Sequence, residues 1–477
     1  MIDTELLKEK VLDLAMRGKL VEQDPTEGNA KQLLEEIRLE RERLIKEKKI
    51  KKSKPLPEIS EDEIPYDIPE SWEWVRLGDI LIEHVGGGTP SKKVPEYWGG
   101  DIPWCSIKDF HGDILSKTID AITEEGLNNS SSNLIQSGNL IVATRLAVGK
   151  IMLTDIDVAI NQDLRALIFG TGVNKAYIRY IYGQLNFVTQ GVTVKGININ
   201  NLLSILIPLP PLKEQERIAD RIDHIFKLID HLADQQDKFI NYQKLVQDKA
   251  LELAMQGKLV PQIPEEGTAA NLLEEVEVER QRLIDEKKIR KTKPLPEISE
   301  DEIPYDIPES WEWTWLGKIA FWEAGATPLK SNNEYYDNGE ISWVLTGDLN
   351  DGFLEEVPNK ITYLAVEETN VKMKPEGSVL LAMYGATIGK TAILNFPATT
   401  NQACIAAIPY IGVDNIFLQY MLKNLKEYFI SIGAGGAQPN ISKTKIVSTL
   451  VPLPPTKEQQ RIVNKLDEIN QVLHGEH

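Results

Sequence analysis

Two Asn-Gln pairs carry the chemistry that points most directly to a function. Asn161-Gln162 aligns with Asn401-Gln402, although the segments around the two pairs have diverged. An amide side chain can form paired hydrogen bonds with the edge of an adenine, which is one way of reading DNA sequence directly. The same side chains also satisfy backbone groups in tight turns. The pairs therefore indicate either base contact or a structural turn.

Two glycine-rich loops carry a second set of candidates. GGGTPSKK, at Gly86–Lys93, aligns with AGATPLKS, at Ala324–Ser331. Such a loop can approach a phosphodiester backbone closely, and the aromatic residues that follow could stack on bases or wedge between them. The alternative is a surface loop whose aromatic residues pack back on their own domain. The candidate residues are Thr89, Ser91, Lys92, Lys93 and Tyr97 in the first copy and Thr327, Lys330, Tyr335 and Tyr336 in the second.

Two further glycine turns partly match a phosphate-binding loop. GATIGKT, at Gly385–Thr391, has one residue too few between its glycines. RLAVGKI, at Arg145–Ile151, also lacks the final hydroxyl residue. We therefore predict hairpin turns that carry a lysine, not a nucleotide site. Polar residues of these turns and of neighbouring strand ends complete this candidate set: Lys108, Arg145, Lys150, Thr346, Tyr384 and Lys390.

A third pair of loops lies beside predicted helices. QGVTVKGININ, at Gln190–Asn200, and GAGGAQPNIS, at Gly433–Ser442, combine glycines with polar side chains. Segments of this kind suit the reading of a DNA groove, although their composition alone predicts only exposed loops. The candidates here are Lys195, Asn198, Gln438 and Asn440.

Catalytic and metal-binding patterns are missing from the sequence. Pro-Pro occurs only as LPPL and LPPT, so the signature of amino-methyltransferases, which ends in Pro-Pro and an aromatic residue, is absent. The six histidines form no metal-ligand spacing with acidic residues or cysteine. Cys105 and Cys404 are the only cysteines, which excludes a disulfide framework. We assign no catalytic residue and no metal ligand.

Composition and charge restrict the class of protein. With 477 residues, 42% of them apolar, and no long apolar run, the chain is expected to be a soluble multidomain protein of the cytoplasm without membrane association. The net charge of −19 argues against broad affinity for polyanions. Much of the acid lies in one repeated linker, however, so a basic surface elsewhere is compatible with the sequence.

An internal repeat positions all of these candidates. KPLPEISEDEIPYDIPESWEW occurs at Lys54–Trp74 and, unchanged, at Lys293–Trp313. The segments that follow, Asp79–Ile207 and Lys318–Val451, differ almost completely but keep one strand-and-turn skeleton. We predict two mixed α+β domains on a duplicated frame. Identical parts are expected to face the same neighbour twice, whereas divergent parts can face different targets.

A long helix is predicted over Lys213–Gln256, with a length of roughly 65 Å. Its halves recur at the chain ends, because Pro208–Asp223 matches Pro452–Asp467 and Ala250–Val260 matches Val11–Val21. Joined beside the central helix, the terminal pieces would form an antiparallel partner related by an approximate twofold axis. The predicted coiled-coil seam consists of Ile218, Ile222, Ile225, Ile229, Leu232, Phe239, Val246 and Leu253 with Leu14, Ile462, Leu466 and Ile469.

The ordered motifs resemble those of DNA specificity subunits of type I restriction–modification systems. The resemblance rests on PLPPLKEQERI and PLPPTKEQQRI, LAMRGKLV and LAMQGKLV, the KPLPEISEDEIP linkers and the two WEW openings, and it covers essentially the whole chain. It implies a subunit without catalysis of its own. Two target recognition domains, separated by an antiparallel coiled coil, would each read one half of an asymmetric bipartite site, and the coiled coil would set the spacer.

The resemblance also implies partners and a division of the chain. The partners are double-stranded DNA, two methyltransferase subunits docked on the conserved regions, and restriction/translocase subunits. S-adenosylmethionine, ATP and Mg are expected on those partners and none in this chain. The alternative is a coiled-coil scaffold that never reads DNA. The implied segments are a terminal helix (1–22), a helix and linker (23–70), target recognition domain 1 (71–207), the central helix (208–262), the second helix and linker (263–309), target recognition domain 2 (310–451) and the C-terminal helix (452–477).

Overall fold

The computed structural model describes residues 1–189, 196–433 and 439–475. The candidates Lys195 and Gln438 lie outside these residues. The chain forms two compact units, Met1–Asp237 and Lys238–His477, and each contains strands and helices. The predicted class, mixed α/β with two sheet-containing domains and a long helix, is confirmed.

The first unit alternates short strands with helices. Its helices are α1 (Thr4–Met16), α2 (Ala30–Lys46), α3 (Glu124–Asn128), α4 (Lys175–Tyr182), α5 (Ile199–Leu203) and the beginning of α6 (Leu212–Met255). Its strands are β1 (Glu73–Arg76), β2 (Leu81–Gly86), β3 (Trp98–Cys105), β4 (Ile114–Leu115), β5 (Asp120–Ile122), β6 (Asn133–Ile135), β7 (Leu140–Ala143), β8 (Ile151–Thr154), β9 (Val158–Ile160), β10 (Leu164–Phe169) and β11 (Leu206–Leu209).

The second unit contains the end of α6 and repeats the pattern. Its other helices are α7 (Ala269–Asp285), α8 (Leu316–Ile319), α9 (Tyr363–Glu368), α10 (Asn415–Asn424), α11 (Lys426–Ser431), α12 (Lys443–Val447) and α13 (Thr456–His474). Its strands are β12 (Glu312–Trp315), β13 (Ala320–Ala324), β14 (Ile341–Val344), β15 (Phe353–Leu354), β16 (Lys360–Ile361), β17 (Val379–Ala382), β18 (Thr391–Leu394), β19 (Thr399–Thr400), β20 (Cys404–Pro409) and β21 (Leu450–Leu453).

The two variable domains share most of their sheet topology. Over the described residues, the larger sheet has the order β2-β10-β7-β8-β4 in the first unit and β13-β20-β17-β18-β15 in the second. The smaller sheet has the order β5-β3-β9-β6 in the first unit and β16-β14-β19 in the second, so the first has one strand more. The central strands β7 and β17 are buried at every position, which explains their continuous apolar runs. Strongly diverged sequences therefore build one frame.

The sequence predicts charged helices over Ala30–Lys49 and Ala269–Lys288, and α2 and α7 begin at these positions but end three residues early. The side chain of Asn29 accepts a hydrogen bond from the Gln32 backbone N–H at 3.0 Å, and Thr268 accepts one from Asn271 at 3.3 Å. Lys48 and Lys287 take left-handed backbone conformations, with φ of 58° and 57°. This conformation ends each helix before the predicted Lys49 and Lys288.

Within each unit, one terminal helix runs antiparallel to its part of α6. In the first unit the Ile2 backbone N–H donates to Gln236 at 2.8 Å, and Lys8 pairs with Asp230 at 2.8 Å. In the second unit Gln247 donates to Asn470 at 3.1 Å, and Gln243 donates to the Leu473 carbonyl.

No described helix is long and apolar enough to cross a membrane.

The predicted coiled-coil seam is wrong at three positions. Phe239 and Val246 are 58% and 46% exposed, although Gln243 lies between them on the same helix face and donates to the Leu473 carbonyl of α13. Leu14 is 40% exposed. Its neighbours Leu12, Ala15 and Met16 form the buried face of α1 instead.

The remaining seam positions are buried to different extents. Ile218, Ile222, Ile229, Ile462 and Leu466 are buried, whereas Ile225, Leu232, Leu253 and Ile469 are half-buried. The seam residues are thus most deeply buried where the helices adjoin the domain cores. A regular heptad does not continue through the middle of α6.

Candidate nucleic-acid interface

In the first unit the Thr-Pro loop lies directly on the Asn-Gln turn. The Gly88 N–H donates to the Ile160 carbonyl at 2.9 Å, and the buried Trp104 indole donates to the Gly88 carbonyl at 3.1 Å. A Cβ atom at Gly87 would lie 2.1 Å from the Ile160 oxygen, so only glycine permits this approach. The loop is therefore fixed by its backbone while its side chains remain available.

The second unit repeats this arrangement. The Ala326 N–H donates to the Thr400 carbonyl at 2.9 Å, and the Trp343 indole donates to the Ala326 carbonyl at 3.3 Å. A Cβ atom at Gly325 would lie 2.1 Å from the Asn401 oxygen. Two domains with little sequence in common thus hold the same loop with the same contacts.

The asparagine and the glutamine of each pair have different surroundings. Asn161 is buried and its side-chain oxygen accepts the Asp163 N–H at 3.0 Å, and Asn401 accepts the Ala403 N–H at 3.1 Å. Gln162 and Gln402 are exposed. Thr89 donates to the Gln162 side-chain oxygen, and Thr327 donates to Gln402 in the same way. The asparagines hold the turn, and a Thr-Gln pair is presented outward in both domains.

The candidates of the two hairpin turns differ in exposure and in their contacts. Arg145 is exposed and lies 3.4 Å from Asp163, and Lys150 is exposed at the end of the same turn. In the second unit Tyr384 is 42% exposed and forms a backbone bridge with the exposed Asn440. The half-buried Lys390 closes that turn.

Three other candidates lie in short helical turns. Asn198 caps α5 by accepting the Asn201 N–H at 2.8 Å. Lys108 is exposed in a single turn and lies 4.0 Å from Asp120. Thr346 begins the corresponding turn in the second unit and is half-buried.

The residues after each Thr-Pro step differ in exposure. Ser91, Lys92, Lys93 and Lys330 are exposed, whereas Tyr97 is half-buried. Tyr336 donates to the Pro328 carbonyl at 2.6 Å, and Tyr335 donates to Glu368 at 3.0 Å. The tyrosines of the second unit are therefore engaged with their own domain, as the structural alternative expects.

Comparison with known proteins agrees with the duplicated frame. The family model described as type I restriction modification DNA specificity domain matches the chain twice, over residues 69–240 and 308–475. The chain belongs to this family. Its identification as a specificity subunit, predicted from the motifs, is confirmed.

Relatives of the specificity family match over nearly the whole chain. The type I restriction enzyme EcoAI specificity subunit of Escherichia coli is 29% identical over 98% of this chain and 88% of its own. A solved HsdS subunit from Thermoanaerobacter tengcongensis is 20% identical, covers 86% of this chain and 92% of its own, and has a TM-score of 0.54. A chain from a structural study of the assembly and conformational transition of the type I R-M system is 21% identical over 86% of this chain and 93% of its own, with a TM-score of 0.59. These two structures show the shared fold.

Sequence reasoning did not single out three residues of the specificity domains that the structure makes prominent. Trp104 and Trp343 pin the Thr-Pro loops, and their alignment in DIPWC and EISWV was the available signal. Asp163 pairs with Arg145 at 3.4 Å. It directly follows Asn161-Gln162 in the sequence, and only these two amides were predicted to contact DNA.

Charged groups inside the specificity domains differ between the units. Arg165 on β10 lies 2.9 Å from the His84 ring nitrogen on β2, and burial lowers the pKa of His84. In the second unit the fully buried Lys374 pairs with Glu323, and burial lowers the pKa of Lys374. In the part of the chain that the structure describes, no group of three or more His, Cys, Asp or Glu side chains could hold a metal ion.

Proposed function

We propose that this chain is the sequence-reading subunit of a type I restriction–modification complex and that each variable domain reads one half of an asymmetric bipartite DNA site. The observation that carries the proposal is the Thr-Gln pair, which is held by the same backbone contacts in both units. Polar side chains on a rigid loop suit contact with DNA. The divergent residues around the pair suit different half-sites.

The repeated linkers support docking of two methyltransferase subunits. The linkers at Lys54–Trp74 and Lys293–Trp313 are identical and mostly exposed. Some inner contacts recur, such as the Tyr66–Trp74 and Tyr305–Trp313 ring pairs. Another differs, because Arg76 donates to the Pro57 carbonyl at 3.3 Å whereas the Trp315 indole donates to the Pro296 carbonyl at 2.9 Å. Packing inside each unit accounts for the buried residues of the linkers, and an outer surface that meets the same partner twice would account for the identity of the exposed ones.

The chain itself contributes recognition and no catalysis, and S-adenosylmethionine, ATP and Mg bind to the methyltransferase and restriction/translocase subunits. The helix α6 belongs to both units and sets the spacer between the half-sites. Partner subunits also supply part of the basic surface that a chain of net charge −19 lacks.

The test uses the full chain co-purified with its methyltransferase subunit. We expect binding to a DNA library that selects two separated half-sites and that weakens steeply as salt is raised. We also expect methylation of the selected sites only when both proteins are present. Complex formation without sequence-selective binding would instead identify a scaffold, and turnover by the chain alone would contradict a purely recognising role.

A further inference from the structure

Arg145 extends from a backbone position that is fixed from two sides. The preceding Thr144 donates its N–H to the Asp163 carbonyl at 2.8 Å and accepts the Ile197 N–H at 2.8 Å. Arg145 itself forms a backbone bridge with Gly196. The arginine therefore leaves the end of β7 beside the Asn-Gln turn, in a place that the strands determine.

Tyr384 occupies the corresponding position in the second unit. The preceding Met383 donates to the Ala403 carbonyl at 2.8 Å and accepts the Ile441 N–H at 2.9 Å. Tyr384 forms a backbone bridge with Asn440. The two backbones are held alike, and only the side chains differ.

A chain of polar contacts joins Arg145 to the Thr-Gln pair of the first unit. Thr89 donates to the oxygen of the Gln162 amide, whose nitrogen lies 3.5 Å from one Asp163 oxygen. The other Asp163 oxygen accepts from the Arg145 guanidinium at 3.4 Å. In the second unit Ala403 takes the place of Asp163, so the corresponding chain stops at Gln402.

The chemistry of this chain fits the reading of a base edge. A guanidinium has five N–H donors, and Asp163 engages Arg145 through a single nitrogen. The side chain of Arg145 is 53% exposed, whereas that of Asp163 is 14% exposed. The less exposed carboxylate thus holds one nitrogen of the guanidinium and leaves enough donors for the O6 and N7 acceptors of guanine.

On the basis of the proposed function, we infer that Arg145 determines specificity in the first half-site by reading a guanine and that Tyr384 determines specificity at the same place in the second. Asp163 is the positioning residue for Arg145. The Thr-Gln pairs, which are the same in both domains, make contacts that do not depend on sequence.

The decisive experiment exchanges the residues of the two positions in the full chain, studied with its methyltransferase subunit on a randomised DNA library. We expect Arg145→Tyr with Asp163→Ala to lower the preference for guanine at one position of the first half-site by about 10- to 100-fold. The second half-site should be unchanged. The matched variant, Tyr384→Arg with Ala403→Asp, should alter one position of the second half-site only.

Two single variants separate the roles. Arg145→Lys keeps the charge but loses the planar pair of donors, so it should weaken guanine preference while nonspecific binding and its salt dependence stay similar. Asp163→Ala should reduce the preference less than the loss of Arg145 does. The thermal midpoint of Arg145→Lys should match that of the wild type, because Arg145 is exposed. Asp163 is 14% exposed and Ala403 is half-buried, so a shift in the thermal midpoint of a variant that changes either residue reports packing and not DNA reading.

The outcomes that overturn the inference are distinct from failure of the proposed function. A phosphate contact would lower binding equally for all sequences and reduce the salt slope by about one. That result, or an unchanged preference, would overturn the role of Arg145 while the wild-type complex still selects two half-sites. If the wild-type complex selected no bipartite site, the proposed function itself would fail.

Discussion

Leu146 and Gly385 occupy the same turn position in the two units, and both have a left-handed backbone conformation. The φ of Leu146 is +64° at the turn between β7 and β8, and Gly385 has φ +64° at the corresponding turn of the second unit. A non-glycine residue in this conformation costs about 1–2 kcal/mol. Leu146 is 61% exposed, so its removal loses little burial. We expect Leu146→Gly to raise the free energy of unfolding by about 0.5–1 kcal/mol, after the extra entropy of glycine in the unfolded chain.

The matched variant at this turn is Gly385→Leu. A Cβ atom there meets nothing within 4 Å, so backbone strain alone should lower the free energy of unfolding, by about 1 kcal/mol or more. Denaturant titration of the full-length variants measures both changes. A destabilised Leu146→Gly protein would show that the leucine side chain makes a contribution that its exposure hides.

Glu63 makes the first linker sensitive to acid. Its carboxylate accepts hydrogen bonds from Arg76 at 2.8 Å and from the Ser60 N–H at 3.1 Å. The bond from Arg76 contributes most and the bond from Ser60 next, and together they lower the pKa of Glu63 to about 2. A carboxylate whose pKa is lower in the folded than in the unfolded state stabilises the fold above the unfolded pKa of about 4.3. That stabilisation is lost as the pH falls from there towards 2.

We therefore expect Glu63→Gln to flatten the acid limb of the stability profile of the first unit. The measurement is the thermal midpoint of the full chain between pH 5 and pH 2.5. Glu302→Gln is the control, because Trp315 stands in the second unit where Arg76 stands in the first. An equal effect of both variants would show that Arg76 is not the cause.

For single residues, the sequence identified the candidates for DNA contact better than it identified the role of each one. The Asn-Gln pairs were open to base contact or turn structure, and the structure divides them, with Asn161 in the turn and Gln162 exposed. These two neighbouring residues have opposite environments because a tight turn directs one side chain inward and the next outward. That division depends on the backbone of Ile160 and Cys105, which no local pattern reveals.

At the scale of elements, the motif that carries the family resemblance is largely internal. Glu214 is buried and accepts the Trp72 indole N–H at 2.9 Å. Gln215 accepts the Asn174 N–H at 2.8 Å and donates to the Pro210 carbonyl at 2.9 Å. Arg217 forms a two-pronged pair with Glu27 at 3.0 and 2.7 Å. The start of α6 is thus the point at which helices and domain are joined.

The second unit repeats these contacts at the start of α13. Gln459 accepts the Asp414 N–H at 2.8 Å and donates to the Pro454 carbonyl at 3.0 Å. Arg461 pairs with Glu266 at 3.1 and 2.8 Å. The expectation that repeated residues face repeated neighbours holds here inside the chain, and partner subunits are not needed to explain this motif.

We expect Gln215→Ala to lower the free energy of unfolding by about 2–3 kcal/mol, because it leaves buried backbone groups without partners. Gln459→Ala should have a similar effect in the second unit. Glu216→Ala is the control, since Glu216 is exposed in the next position of α6 and its loss should change stability by no more than about 0.5 kcal/mol. Denaturant titration checks these values, and equal effects at Gln215 and Glu216 would contradict the role of the buried amide.

The helices also show where a sequence pattern stops being informative. The limits of α6 were predicted to within one residue, because prolines precede it and Gly257 follows it. The exposure of Phe239 and Val246 was not predicted, because a heptad pattern assumes a partner that follows the whole helix. The described contacts of α13 with α6 use glutamines, which an apolar pattern does not detect.

At the scale of the whole molecule, each variable domain enters and leaves its unit through one pair of strands. In the first unit β1 pairs antiparallel with β11, with Glu73 opposite Leu209. In the second unit β12 pairs with β21, with Glu312 opposite Leu453. Because two strongly diverged segments both close on such a strand pair, a domain from another chain should close on it as well. The duplicated frame and the divergent domains are therefore separable.

This construction predicts the outcome of domain exchange. Replacing residues 79–205 by the matching segment of a relative keeps β1, β11 and both linkers, so the variant should fold and still join its methyltransferase subunit. Mapping methylated sites in cells that carry the complete system should show one changed half-site, with the other half-site and the spacer retained. The matched exchange of residues 318–449 should change the other half only. A change in both half-sites after either exchange would mean that the domains do not read independently, and the assignment of one half-site to each domain would be wrong.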